Sequence, residues 1–357
     1  MSRTIPTRRI LATAVLAALA ATSLAACSSD GSSNSSAPLS SYVTPGSSGT
    51  DTSKWSGYTF TIGDNGGDGS QQLAAITGVF KNAPYKVKFA RFTFGPPLVQ
   101  AAASGDIDLG SVGDVPPISG AAKEYGFNIV GVSHYLDPKL AVEDILVPKG
   151  SKITSLSQLK GKKIAIPQGS SAHGLALLAL KSVGLTPDDV KLEFLDPAAG
   201  ATAFASGKVD AWSIWNPQAG LAIKAGARIL AAGLPPIDQT SNYYVAPTKD
   251  LNDPDRKAAL ADAFQRLAAE FAWANAHPDK MAEAISKEEG ISVSDAKSVI
   301  NTFQYRIAPI EPADIAAEQN LASAFLAAKQ ISKRVDVAQI TRNILPTGFD
   351  STALNVG

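Results

Sequence analysis

The chain has 357 residues, 45% of them hydrophobic, and its 32 basic and 32 acidic residues cancel, so no excess of positive charge marks it for nucleic acid. Its single cysteine, Cys27, rules out a disulfide framework. The roughly 300 residues beyond the N-terminal segment suffice for a large core, usually divided between two lobes at this size.

Arg3, Arg8 and Arg9 precede an uncharged apolar run from Ile10 to Leu24, the pattern of a secretion signal. The run is too short to cross a bilayer, which takes roughly 20 apolar residues. Its end, "LAAC" (24–27), resembles the lipobox of bacterial lipoproteins, in which the cysteine becomes the lipidated N-terminus. The expectation is a signal peptide over 1–26 and a protein held by lipid at Cys27 to the outer face of the cell membrane. Arg8-Arg9 leaves the export route open between the general and twin-arginine pathways. Residues 27–53, rich in Ser, Gly, Thr and Pro, are expected to form a flexible tether. Without the leader's three arginines the remainder is formally three charges negative.

From Tyr58, "YTFTIG", "SQQLAAITGVF", "YKVKFARF", "PPLVQAAASG", "DIDLGSVG", "PPISGAAKEYG" and "NIVGVSHYL" alternate short β-rich runs with apolar-periodic helices, which predicts an α/β sheet covered on both faces. The pattern then recurs. "ASGDIDLGSVGDVPP" from Ala103 aligns with "ASGKVDAWSIWNPQ" from Ala205 at an offset of 102 residues, pairing Asp108 with Asp210 and Asp114 with Asn216. Two similarly built lobes follow from this. "LAVEDILVPKG" and "SNYYVAPTKD" are extended segments bracketing the second of them, so the chain crosses over twice. Lobe one then comprises 54–146 and 243–357, and lobe two 147–242. The helical tail from Pro254 packs on lobe one.

In open α/β sheets, ligands lie beyond the carboxyl ends of the strands. The strand in "KIAIPQGSSAH" ends at Gly169, Ser170 and Ser171, before a helix beginning near Ala172. A helix N-terminus presents unpaired N–H groups and about half a positive charge, which suits an anion. The two serines serve either that anion or the capping of their own helix. The same logic brings Asn65 and Gly66 from the glycine-rich turn "GDNGGDGS", Phe94, Gly95 and Pro96 after the second strand, Gly113 and Asp114 after the third, and Trp215 and Asn216 from the second lobe. Trp215, Phe94 and Pro96 would form an apolar wall, and His173 would donate to the anion. His134 and His277 have no metal-like neighbours, and no metal or cofactor is expected.

These motifs, with "ILVPKGSKITSLSQLKGKKIAIPQGSSAH" and "LKSVGLTPDDVKLEFL", resemble the aliphatic-sulfonate, taurine and nitrate group of ABC-importer substrate-binding proteins, nearest to its aliphatic-sulfonate members. The likeness runs from about Tyr58 to Ile331. It implies the two-lobed periplasmic-binding-protein fold of type II, closing over a small anion, as a monomer that delivers it to an ABC permease. The sulfonate head would sit between the Gly169–Ser171 and Gly113–Asp114 turns, with Trp215 and Asn216 facing it. Two departures stand out: Gln100 where relatives carry an acid, and Asn216 where they carry Asp. Loss of an acid weighs against an amino-sulfonate such as taurine. Nitrate, an aromatic acid or a pyrimidine precursor are the other solutes this group would suggest. Enzymes of this fold that cleave sulfinates use a cysteine nucleophile, a role Cys27 does not fill, so no catalysis is expected.

Overall fold

The computed structural model describes residues 39, 51–65, 67–239 and 241–356. The expectations for 1–26, Cys27, most of the tether and Gly66 fall outside the described residues. Among these residues no helix is long and apolar enough to cross a membrane.

The alternating pattern becomes β1 (Thr59–Asp64), α1 (Ser70–Thr77), β2 (Lys86–Arg91), α2 (Gly95–Ser104), β3 (Leu109–Val112), α3 (Val115–Ala122) and β4 (Phe127–Tyr135). After β5 (Glu143–Val147), a second series runs β6 (Lys163–Ile166), α4 (Ser171–Ser182), β7 (Lys191–Phe194), α5 (Pro197–Ala205), β8 (Ala211–Trp215), α6 (Gln218–Lys224) and β9 (Arg228–Ala232). The chain then forms β10 (Ser241–Pro247), α7 (Thr248–Leu251), α8 (Pro254–Ala276), α9 (Pro278–Glu289), α10 (Val293–Val299), β11 (Tyr305–Ala308) and α11 (Pro312–Ala327).

The strands form two sheets, ordered β11-β4-β10-β3-β1-β2 and β7-β6-β8-β5-β9. Each holds a parallel trio, β2-β1-β3 or β7-β6-β8, flanked by an antiparallel strand that has crossed from the other sheet, β10 or β5. The chain changes sheet between Tyr135 and Glu143 and again between Ala232 and Ser241, a few residues before the boundaries read from the sequence.

The internal repeat has a structural counterpart. Asp108 accepts from the Thr61 N–H at 2.6 Å, and 102 positions later Asp210 accepts from the Lys163 N–H at 2.8 Å, so each aspartate ties the start of β3 or β8 to the strand beside it. Gly105 and Gly207, the matched glycines before these strands, both have positive φ, 82° and 68°, which a side chain rarely adopts.

Helix α8 lies against the first sheet, with Phe264 against Tyr244 and Phe271 against Tyr305. Helix α11 does more than cover that sheet: it packs on α3 and also on α4, which belongs to the second sheet. Among the described residues one ion pair is sealed inside. Arg266 is fully buried; its Nε donates to Asp262 at 2.8 Å and its Nη1 to the Val79 carbonyl at 2.9 Å, while the Tyr85 hydroxyl also donates to Asp262. Breaking such a pair from one side strands a buried charge. Arg266→Met is expected to cost about 3–5 kcal/mol in urea unfolding, with the arginine's packing partners otherwise retained.

Candidate ligand-binding cleft

Between the sheets lies a cleft of about 100 Å³. The first sheet contributes Asn65 after β1, Gly95 at the start of α2, and Gly113 and Asp114 between β3 and α3. From the second come Ser170 and Ser171 at the start of α4, and Trp215 and Asn216 at the end of β8. The strand-end reasoning thus brings eight of the expected residues to one space.

Helices α2, α3 and α4 begin here, but they are unequal donors. Helices α2 and α3 open with Pro96-Pro97 and Pro116-Pro117, which carry no N–H. Helix α4 opens without proline, and the N–H groups of Ser171 and Ala172 have no backbone acceptor. Neither serine caps it: the Ser170 hydroxyl donates to the Pro167 carbonyl at 2.7 Å, and the Ser171 hydroxyl to Glu143 Oε2 at 2.8 Å. Asn216, one residue before the N-cap of α6, does bond the first turn of that helix, accepting from the Gly220 N–H at 3.0 Å, and donates to Thr302 at 3.3 Å. Its counterpart Asp114 makes no such bond, and its Oδ1 is buried without a partner.

The other four described residues lie elsewhere. Phe94, Pro96, Gly169 and His173 line a second cavity of about 960 Å³, together with Gln100. Local geometry explains this. Phe94 is fully extended, φ −167° and ψ 170°, so its side chain leaves the backbone on the face opposite to the one Gly95 turns toward the cleft. His173, two residues after Ser171, is about 200° further round the helix. There it lies edge-on to Phe194 and Phe325, and its Nδ1 accepts from the Gly169 N–H at 3.3 Å. Burial lowers its pKa to about 4, so the ring is neutral near pH 7 and is no cationic donor to the cleft. The apolar wall of the cleft is therefore Trp215 with Phe303 and Val142, without Phe94 or Pro96.

The sequence reading missed residues on the crossovers and the C-terminal segment. Tyr135, Glu143, Asp238 and Asn242 reach the cleft from the passages between sheets, and Thr302, Phe303 and Tyr305 from the turn leading into β11. Asn242 donates to the Tyr135 hydroxyl at 2.8 Å. The signal available was topological: the extended crossover segments had to pass beside any ligand held between the lobes.

Electrostatically the cleft is acidic. Asp68, Asp114, Glu143 and Asp238 line it, and no lysine or arginine does among the described residues. Burial first, then Asp238, pushes Asp114 and Glu143 well above the ordinary carboxylate range. This corrects an expectation: the position where Gln100 replaces an acid faces the second cavity, so it leaves the charge of the cleft unchanged.

Two sheets of like topology, joined by two crossovers and facing each other across a cleft of helix N-termini, are the architecture of the periplasmic binding proteins. The family comparison is more specific. Residues 73–281 match the family described as NMT1/THI5 like, and the chain belongs to it. It is 33% identical over 261 residues to the "Putative aliphatic sulfonates-binding protein" of Escherichia coli, covering 71% of this chain and 78% of that one. The protein of the same description in Bacillus subtilis is 32% identical over 266 residues, 74% of this chain and 78% of that one. Among solved structures, the alkanesulfonate-binding protein SsuA from Xanthomonas axonopodis pv. citri, bound to MOPS, superposes with a TM-score of 0.74 at 28% identity, over 80% of this chain and 98% of that one.

The sign of the His173 effect is set by its lowered pKa. Between about pH 6.5 and 4 the unfolded chain gains a proton that the folded protein refuses, so the stability contributed by the neutral ring is complete above about 6.5 and lost as pH falls to 4. Relative to wild type, His173→Gln is expected to gain on the order of 3 kcal/mol between pH 7 and pH 4, measured by denaturant unfolding at each pH.

Proposed function

We propose that this protein is the extracytoplasmic substrate-binding component of an ABC importer, and that it captures an aliphatic sulfonate between its lobes. The observation that carries this reading is the proline-free start of α4, whose free N–H groups and Ser171 face the Gly113 turn across the cleft. A sulfonate has three oxygens to accept such bonds, and charge-assisted bonds of this kind contribute about 1.5–3 kcal/mol each. Trp215 and Phe303 supply surface for a short apolar tail. The relatives named above are described as binding proteins for the same class of solute, which supports a carrier over an enzyme. With this role go a lipid anchor at Cys27, a permease partner, a monomeric state, and two lobes that hinge at the two crossovers.

A second reading has its own support. Four acids in the cleft favour a sulfonate that also carries an ammonium group. Calorimetric titration with linear alkanesulfonates, taurine, sulfate, nitrate and benzoate separates the possibilities. The expected result is saturable heat with alkanesulfonates and none with sulfate, the affinity rising roughly fourfold per added methylene as about 0.8 kcal/mol of apolar burial is gained. Trp215→Ala should flatten that rise. A signal confined to taurine would establish the second reading, and one confined to nitrate or benzoate would replace the ligand while keeping the carrier.

Closure has a steric requirement. A Cβ on Gly113 would stand 2.8 Å from the Ser171 Cβ and 3.0 Å from its Oγ. Gly113→Ala is therefore expected to weaken ligand binding at least tenfold, because the two turns must part to admit the methyl group. The measurement is calorimetry.

A further inference from the structure

We propose that Asp64, Asp68 and Glu288 hold a hard divalent cation, Ca²⁺ above all, at the edge of the ligand cleft. One carboxylate oxygen from each lies within 4.8 Å of the others, a spacing that one ion bridges. Asp64 ends β1, Asp68 lies in the glycine-rich turn that follows, and Glu288 is at the end of α9.

Partnerless oxygens are an observation independent of the spacing: these carboxyls lack either a proton or a cation. Asp64 is 98% buried and its Oδ1 has no hydrogen-bond partner; neither has Glu288 Oε2. Behind them Glu270, on α8, is fully buried with both oxygens unpartnered, and the charged groups acting on it are Asp68 and Asp64. Among the described residues one cation stands against these four acids: Arg91, whose Nε is 3.9 Å from Glu288 Oε1 and whose guanidinium is engaged by Glu289 at 2.6 Å and by the Glu288 carbonyl. Existing bonds leave room: Asp64 Oδ2 accepts from the Gln71 N–H, Asp68 Oδ1 from Ser70, and Glu288 Oε1 from the Gly67 N–H. Carboxylates alone, with no histidine or cysteine, select a hard ion over zinc or copper. The sequence reading sought histidines and so expected no metal.

The ion would also serve the cleft. Asp68 belongs to both the cluster and the cleft lining, so two positive charges would sit beside a space whose described charged lining is otherwise acidic. This consequence, unlike the site, rests on the sulfonate reading.

The test is calorimetric titration of the purified protein, freed of metal by chelator, with CaCl₂ and with MgCl₂, alongside thermal melts. Saturable one-to-one heat and a raised midpoint with Ca²⁺ are expected. Glu288→Gln and Asp64→Asn should abolish both, and Glu270→Gln should weaken Ca²⁺ roughly tenfold, as outer-shell partners do. Each variant removes one of several like charges, so in chelator it should melt no lower than wild type; that separates a lost site from a lost fold. Absence of saturable heat with both metals overturns the proposal. So does taurine heat that vanishes in Glu288→Gln while the metals stay silent, since the acids would then serve the ligand's own ammonium. In chelator, alkanesulfonate affinity should fall at least tenfold. Because the metal is titrated alone, silence of every sulfonate would count against the ligand reading and not against the cation site.

Discussion

The cleft depends on how closely two turns approach: Gly113 after β3 and Ser171 at the start of α4, where even a methyl group on the glycine would collide with the serine. That approach brings the free N–H groups of one sheet's helix over the strand ends of the other. It also lets the Ser171 hydroxyl reach Glu143 on the strand that has just crossed between sheets. Helix α11 packs behind the same junction, on both α3 and α4. The glycine is thus required for the absence of a side chain, since its φ is not among the positive ones.

Topology makes such an approach possible twice over. Each sheet runs its parallel trio so that the carboxyl ends point toward the same gap, and each borrows its fourth strand from the far side of a crossover. The repeated aspartate that bonds the neighbouring strand, Asp108 or Asp210, fixes the register of the strand leading into the cleft. A two-lobed carrier needs its halves alike at the ligand and joined by few segments, and both conditions are met by these bonds and passages.

Much of this was legible in the sequence because the signals are local. Strand, glycine turn and helix start succeed one another within ten residues, and the turn residues Gly113, Ser171 and Trp215 could be placed from that order alone. The direction of each side chain was less legible. Phe94 and His173 stand within two residues of cleft-lining positions, yet an extended backbone and a helical rotation send them to the other cavity. Glu143, Asp238 and Asn242 were hidden for a different reason: they flank or begin strands whose neighbours are fixed by antiparallel pairing across more than 70 residues, which no local pattern reports. The glycine-rich turn at Asp64 looked unusual, but its partners Glu270 and Glu288 lie more than 200 residues away.

The remaining physical problem is the sign of the charge. A helix start offers an anion about half a positive charge, whereas each ionised acid in the cleft opposes it with a whole one. Burial and mutual repulsion already hold Asp114 and Glu143 toward their neutral forms, and a neutral carboxyl is a donor where a carboxylate is an acceptor. An acid-lined space can therefore receive an anion if its acids keep their protons, if a cation stands beside them, or if the ligand brings a positive charge of its own. These routes differ in what accompanies the anion: protons, a metal ion or an ammonium group. The partnerless oxygens of Asp64, Glu270 and Glu288 favour a bound cation on one side of the cleft, while the Ser171 hydroxyl occupies one oxygen of Glu143 on the other. Selectivity would then come from matching a ligand's charge distribution to both sides at once, with the tail read by Trp215.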